Sequence, residues 1–542
     1  MKTPFRSNRA ENWLLAITAY AFLLGLAARL FPLTDLQHRL FWQYMTEDGY
    51  LLQTVARNLA GGLGMSVSAG TIPTNGVQPL FTFVSALLFK LVSGDKADGI
   101  ILVTLVSLLI ALLSTWLLQR IARRLFDELG LPSQLTWLAA ALWFAAPHII
   151  RHSMNGLETG LYWLMMLLTV NYWLAASRES ASPLTLAEQL SLGVLLGLTF
   201  LARNDAVFFI AALLLSHLLV RPASSALKQR VIEALVAGAT SVVVASPWLI
   251  NNYRLFGSIV PISGKAESYG AHFGHNLLHV PATFIDSALL YAPIPSSLES
   301  NTTIALIMLL ATLGIAAGVR TLAAYGHAIT RQILLLTLIL SLEISAYYGL
   351  MFGATHFMQR YFSVLTPLLW ISVFAWAARL ALRSQTVWLL PLFALLATGI
   401  ASGFAVRDWQ RGYALGTAQE HENVVQWVQA NVPDSDWVGA VQSGTLGYFH
   451  DRTINLDGKV NPAALQAKIQ HGNVLDYVIH SPIVYIADWS SNGFAAWTDP
   501  TRHPDFARQF QVIYRNDRDN VMVMQRITKP DATSLALTGP TL

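Results

Sequence analysis

Glu47 and Asp48 stand side by side directly after Thr46. A carboxylate held at a membrane surface can act as general base for an attacking hydroxyl. The same pair can be first-turn acids behind an N-cap threonine, which the helix dipole favours by roughly a few tenths of a kcal/mol. A third acid, Glu158, lies in Asn155-Gly156-Leu157-Glu158-Thr159 at the edge of an apolar run. There a carboxylate is costly unless it is solvated or paired. Arg203 and Asp205, in Leu201-Ala202-Arg203-Asn204-Asp205, separate two apolar runs with almost no loop. They either satisfy each other at a tight helical hairpin or leave Arg203 projecting into a cavity. His356 and Arg360 are four apart and share one helix face, and Tyr361 follows. This trio is either an interfacial set that snorkels beside an aromatic belt, or a cationic seat for a phosphate, to which a guanidinium is well suited. Lys265, in Pro261-Ile262-Ser263-Gly264-Lys265, is a solvated loop lysine or a further cation for that phosphate.

These residues need elements to position them. After the acid pair, Leu51, Leu52, Val55 and Leu59 recur on one helix face, and Gly61, Gly62 and Gly64 end that helix. Thr74, Asn75, Gly76 and Pro79 mark a turn before the next apolar run. The pattern predicts a short amphipathic helix lying on a membrane. Asn75 and Tyr361 are candidate substrate contacts.

The chain has 542 residues, 54% apolar and only 12% charged, against about 25% charged in soluble domains. Its mean hydropathy is +0.47. It therefore reads as a polytopic α-helical membrane protein. The formal charge of +4 does not point to nucleic acid, because the basic residues flank apolar segments and form no single patch. The absence of cysteine excludes disulfides, thiolate metal sites and a Cys nucleophile. Lys2, Arg6 and Arg9 precede the first apolar run, which reads as an uncleaved signal-anchor.

Eleven spans are expected, at 13–33, 98–119, 134–149, 159–176, 189–203, 205–220, 231–250, 302–319, 332–350, 361–380 and 387–405. The run 80–93 is short and contains Lys90, so it is expected to lie at the interface. With the N-terminus inside, Arg120, Arg123, Arg124, Arg178, Arg221, Lys228, Arg230, Arg320, Arg331, Arg379 and Arg383 all fall in inside loops. That satisfies the positive-inside rule, and a span at 80–93 would invert it. The same topology puts Glu47–Asp48, Glu158, Arg203, Lys265 and His356–Arg360 on the outer face.

Residues 1–405 are thus expected to form the transmembrane module and 406–542 an outer soluble domain. In the tail, a helix near 420–430 precedes strand-like runs at 437–441, 482–487, 510–514 and 521–525. Helical runs near 462–469 and 474–480 fall between them, which predicts a small α/β domain. The last dozen residues are expected to be a frayed end.

Taken together the motifs resemble bacterial GT-C glycosyltransferases. The matching first loop is Glu47-Asp48-Gly49-Tyr50, then Ala56-Arg57-Asn58-Leu59-Ala60 with Gly62 and Gly64, then Pro73-Thr74-Asn75-Gly76 with Pro79-Leu80. Asn155 to Thr159 is similar to the family's Ser-Gly-Met-Glu-Thr, and Leu201 to Asp205 to its Leu-Ala-Arg-Pro-Asp; Leu157 and Asn204 depart from these. Pro247-Trp248, Phe256-Gly257-Ser258, Pro261 to Lys265 and Arg360-Tyr361 also match. Gly444, Gly447-Tyr448-Phe449 and Asn455-Leu456-Asp457-Gly458 look like the family's periplasmic domain. Lipid A aminoarabinose transferases and terminal arabinofuranosyltransferases are the nearest analogies.

The resemblance implies a bacterial inner-membrane enzyme with a cytoplasmic N-terminus and a periplasmic site and tail. It implies transfer of a sugar from a polyprenyl-phosphate donor to a cell-envelope acceptor hydroxyl, with inversion. Asp48 would be the base, with Glu47 beside it and Glu158 supporting. Arg360, His356, Lys265 and Arg203 would receive the donor phosphate. A divalent cation, Mg or Mn, is left open as cofactor, with Asp48 and Glu158 as its ligands. Two other readings remain at this stage: a glycan ligase or polymerase of another class, and a lipid-linked sugar transporter. A transporter should place polar residues at mid-membrane depth and often carries an internal repeat. Here most acids lie at span ends and no repeat is evident.

Overall fold

The computed structural model describes residues 8–35, 45–179, 183–220, 226–291, 328–384, 389–410, 417–499 and 503–528, with a few isolated positions besides. The first half is a run of helices: α1 (Asn8–Leu30), α2 (Glu47–Ala60), α3 (Pro79–Leu91), α4 (Lys96–Leu129), α5 (Gln134–Ala145), α6 (Pro147–Met154), α7 (Thr159–Glu179), α8 (Leu186–Ala202), α9 (Ala206–Leu219) and α10 (Leu227–Phe256). There follow α11 (Ile262–Ser268), α12 (Val280–Ala288), α13 (Ala328–Leu350), α14 (Met358–Phe362), α15 (Thr366–Arg383) and α16 (Leu389–Gln410). Among the described residues six stretches are long and apolar enough to cross a membrane: Asn12–Thr34, Lys96–Leu129, Leu227–Phe256, Ala328–Leu350, Thr355–Arg383 and Leu389–Arg407. Four shorter apolar helices accompany them, namely α3, α5, α8 and α9. The protein is a polytopic helical membrane protein.

One expected span takes a different form, and the run expected at the interface is short. The run 134–149 is broken, because Pro147 disfavours a helical residue before it and Ala146 is extended (φ −65°, ψ 130°). α5 therefore stops and α6 starts in a new direction. The run 80–93 is the 13-residue α3, about 20 Å long at 1.5 Å per residue, well short of a hydrocarbon core of about 30 Å. The expected span 302–319 falls largely outside the described residues, as does the frayed C-terminal end.

The C-terminal part is a mixed α/β region. A helix, α17 (Thr417–Asn431), precedes β-strands Trp437–Ala440, Thr453–Asn455, Ile483–Asp488, Phe510–Asn516 and Val521–Arg526. Counting the short hairpin Ser66–Val67 and Ile72–Pro73 as β1 and β2, these five are β3 to β7 in chain order. The sheet order is β4-β3-β5-β7-β6, with β3 parallel to β4 and β5, and β7 antiparallel to β5 and β6. Each expected strand is present. The three-residue β4 is an addition, too short to show a period in sequence.

One apolar cluster joins this sheet to the first loop of the membrane part. Tyr50, Leu52 and Val55 of α2 and Val67 and Ile72 of the hairpin pack with Val441, Tyr448, Ile454 and Leu456. The Tyr50 ring lies 5.0 Å from Tyr448 and 5.6 Å from Phe449. Polar ties run along the same seam. Asp451 pairs with Arg57 and, at 3.1 Å, with Lys96. The Tyr448 hydroxyl donates to the Lys96 carbonyl at 2.6 Å, and the Ser68 hydroxyl to the Thr453 carbonyl at 2.7 Å.

Candidate transfer site

The position of the acid pair is set by the first turn of α2. Thr46 caps the helix, its hydroxyl oxygen accepting from the Gly49 N–H at 3.1 Å. Thr46 also anchors this turn to the loop before α7, its N–H and hydroxyl both donating to the Asn155 carbonyl, at 3.2 and 3.1 Å. The Gln53 amide donates to the Gly156 carbonyl at 2.8 Å. Gly49 allows this approach, because a Cβ there would lie 2.1 Å from the Asn155 oxygen. Gly49→Ala must therefore push the two segments apart, at a cost of about 1–3 kcal/mol. We expect a lower melting temperature and impaired activity from that single methyl. An unshifted melting temperature would show that the loop yields freely.

Around the acid pair the structure assembles residues from four distant segments. Arg360 Nη1 donates to Asp48 Oδ2 at 2.9 Å. Lys459 Nζ, from the turn after β4, lies 3.9 Å from Asp48 Oδ1, 2.9 Å from Glu267 Oε1 and 3.9 Å from Asp457 Oδ2. The Gly444 N–H donates to Glu47 Oε1 at 2.5 Å. Burial alone would raise the Asp48 carboxyl, yet Lys459 and Arg360, with a hydrogen bond from Glu47, pull it down to about 2. Glu47 moves the other way. Burial and the charge of Asp48 push it well above its ordinary value, with Lys459 and the Gly444 N–H only partly opposing. Two adjacent acids thus have opposite proton affinities, which divides a site into a proton holder and a carboxylate.

Beside this cluster lies a second one. Arg203, 2% exposed, sets Nε 3.1 Å from Asp205 Oδ1 and 3.7 Å from Glu158 Oε1. Its Nη1 and Nη2 are buried without a hydrogen bond among the described residues, as is Nε of Arg360. The Tyr361 ring touches both guanidinium groups, 4.6 Å from that of Arg203 and 5.3 Å from that of Arg360. Tyr361 stacks on Tyr348 at 4.3 Å, and the Tyr348 hydroxyl donates to Asp205 Oδ2 at 2.7 Å. One edge of Arg203 is satisfied locally and the other is left with free donors.

The remaining candidates divide. His356 is exposed in the 3-10 turn Thr355–Phe357, its ring 4.0 Å from Phe357. Lys265 lies on α11 and makes no ion pair among the described residues; Glu267, two positions on, makes one instead. Asn75 is fully buried, and its Oδ1 accepts from the Ile262 N–H at 3.0 Å. It joins the first loop to α11 and so helps to place Glu267. Sequence reasoning missed Lys459, Glu267 and Asp457. The signal for Lys459 was its place directly after Asn455-Leu456-Asp457-Gly458, a motif noted only as part of the tail.

Asp48 and Glu158 do not suit a divalent cation. Arg360 and Lys459 stand against Asp48, and Arg203 against Glu158. No group of three or more His, Asp or Glu is arranged to hold a metal ion among the described residues.

Residues 76–251 match the family described as dolichyl-phosphate-mannose-protein mannosyltransferase. Residues 408–532 match a domain of unknown function. No curated protein matches the sequence. Solved structures resemble the chain along nearly its whole length. The structure of ArnT from Cupriavidus metallidurans bound to undecaprenyl phosphate superposes with a TM-score of 0.57 at 12% identity, covering 98% of this chain and 99% of that one. The chain has the fold of these structures. A second similar structure, the archaeal oligosaccharyltransferase AglB from Archaeoglobus fulgidus in complex with an inhibitory peptide and a dolichol-phosphate, gives a TM-score of 0.58 at 13% identity, covering 93% of this chain and 73% of that one. A crystal of the Archaeoglobus enzyme with Zn and sulfate gives 0.55 at 13% identity, covering 94% and 73%.

Proposed function

We propose that this protein is a GT-C glycosyltransferase that transfers a sugar from a polyprenyl-phosphate donor to a cell-envelope hydroxyl at the outer face of the inner membrane. The observation that carries the reading is the pairing of Asp48 with Arg360 beside unfilled guanidinium donors on Arg203 and Arg360. A carboxylate for the acceptor and cations for a phosphate thus lie side by side. Two structures that share the fold, solved with undecaprenyl phosphate and with a dolichol-phosphate, support a lipid-phosphate donor.

In this reading the acceptor oxygen attacks the anomeric carbon as its bond to the phosphate oxygen breaks. The electron pair passes to the phosphate, and the acceptor proton passes to Asp48. The sugar is inverted and passes through an oxocarbenium-like state. Arg360 and Arg203 stabilise the phosphate charge. When Arg360 turns to the phosphate, Asp48 loses a charge-assisted hydrogen bond and becomes a better base. Glu47 keeps its proton and Glu158 holds Arg203. Residues 1–405 form the membrane module and 406–542 the outer domain that closes the site. Purified protein incubated with defined polyprenyl-phosphate sugars tests the reading. Release of lipid phosphate only when an acceptor is present supports it. Sugar-lipid movement across a vesicle membrane without cleavage would replace it with a transporter.

Topology has its own test. If α3 does not span, Ser93 and Arg151, both exposed, face the same outer side. A cysteine at either position should label with an impermeant reagent in intact cells. Labelling at only one of them would exclude the one-sided site.

A further inference from the structure

We propose that Lys459, carried by the C-terminal α/β region, is a second phosphate-binding cation of the transfer site. This rests on the reading above and assigns part of it to a region that reads as a lid. The Lys459 ammonium group and the Arg360 guanidinium share two neighbours. Both reach Asp48, at 3.9 and 2.9 Å. Both also lie over the Phe357 ring, at 4.7 and 4.8 Å from its centroid. A phosphate drawn to one of them therefore comes within reach of the other.

The ammonium group has capacity to spare. It carries three donors, and among the described residues only Glu267, at 2.9 Å, is within hydrogen-bond distance; Asp48 and Asp457 are both at 3.9 Å. The side chain is 20% exposed, so it is open to an incoming group. The three carboxylates around it also hold it protonated.

Its backbone is fixed by three contacts and a glycine turn. The Lys459 N–H donates to Asp457 Oδ1 at 2.8 Å, and the Gly458 N–H to Asn455 Oδ1 at 3.0 Å. Gly458 has a φ of +89°, which a side chain would strain. The Lys459 carbonyl lies so close to Gly76 that a Cβ there would come within 2.1 Å of it. A lysine that served only to dock the region would duplicate the ties of Asp451 to Arg57 and Lys96 on the same seam. In the transfer step Lys459 donates hydrogen bonds to the departing phosphate and keeps its proton.

The test uses purified full-length protein and a short-chain polyprenyl phosphate as probe. Lys459→Met should bind the probe about ten- to a hundredfold more weakly, the loss expected for one charge-assisted hydrogen bond. Lys459→Arg should recover most of that loss. Asp451→Ala is the docking control, because it loosens the same seam without touching Lys459. If Lys459→Met weakens binding no more than Asp451→Ala, or binds as the parent does, Lys459 is a docking residue and the proposal fails. The same result fails it when Lys459→Met melts early, since Asp451→Ala supplies the matched loss of stability. Arg360→Ala separates the two levels. If it weakens binding and Lys459→Met does not, the donor reading stands and this inference falls. If neither weakens binding, the phosphate site itself is misplaced.

Discussion

Asp48→Asn will lower sugar transfer by about 10² to 10⁴ with folding intact. Asparagine fills the volume of aspartate and is an equally good helix-start residue. It can still accept from Arg360 Nη1, which bonds Asp48 Oδ2 at 2.9 Å. What it cannot do is take a proton. Glu47→Gln is the control at the adjacent position. Burial and the Asp48 charge raise the Glu47 carboxyl well above its ordinary value, so glutamine mimics the form already present. It can also keep the acceptor for the Gly444 N–H. Transfer by Glu47→Gln should stay within several-fold of the parent. Near-parental transfer by Asp48→Asn would reduce Asp48 to a helix-start acid. A dead Glu47→Gln with an active Asp48→Asn would move the base by one residue.

Arg360→Ala will weaken the donor's hold about ten- to a hundredfold, and Arg360→Lys will recover only part of it. The guanidinium bonds Asp48 through Nη1 and keeps Nε without a partner among the described residues. Its forked donors suit a phosphate in a way that a lysine's point charge does not. One charge-assisted hydrogen bond is worth roughly 1.5–3 kcal/mol, which sets the expected range. Removing Arg360 also strips Asp48 of a cation and a hydrogen bond that favour its charged form, so the acidic limb of the pH–rate profile should shift upward. The sign follows from the contacts. Burial favours the protonated carboxyl, and Arg360 is one of two cations opposing it. Donor affinity measured on the purified variants decides the matter. Equal affinity in parent, Ala and Lys forms would return Arg360 to an interfacial role.

The sequence made the local part of this site readable. Thr46, two acids and an apolar stripe specify a capped amphipathic helix within one turn of its true start, because capping and periodicity are local properties. The glycines of the first loop ended it as expected. The strands at 483–488, 510–516 and 521–526 followed from β-branched and aromatic runs bounded by turn residues. Lys459 could not be found in this way. On its own, Asp457-Gly458-Lys459 reads as a solvated turn. Its burial depends on Asp48, Glu267 and Gly76, which are nearly two hundred or more positions distant. Lys265 was favoured because it stood in a matching motif. The choice between Lys265 and Lys459 rests on which helix face meets the first loop, a tertiary matter that spacing does not encode. The break at Ala146 was visible in Pro147 and outweighed by the length of the apolar run.

The two glycines at the seam carry a consequence for exchanging parts between relatives. A Cβ at Gly76 would strike the Lys459 carbonyl, and one at Gly444 would strike the Glu47 carbonyl, each at 2.1 Å. One glycine belongs to the membrane part and the other to a helix of the C-terminal α/β region, and each makes room for the opposite half's main chain. Neither half is therefore an interchangeable cassette. A chimaera that joins this helical bundle to another enzyme's outer domain would fit only if the donor brings a glycine opposite Glu47. The reciprocal graft needs one opposite the turn after β4. Changes to the C-terminal region are therefore best made on the far side of the sheet, leaving the seam intact.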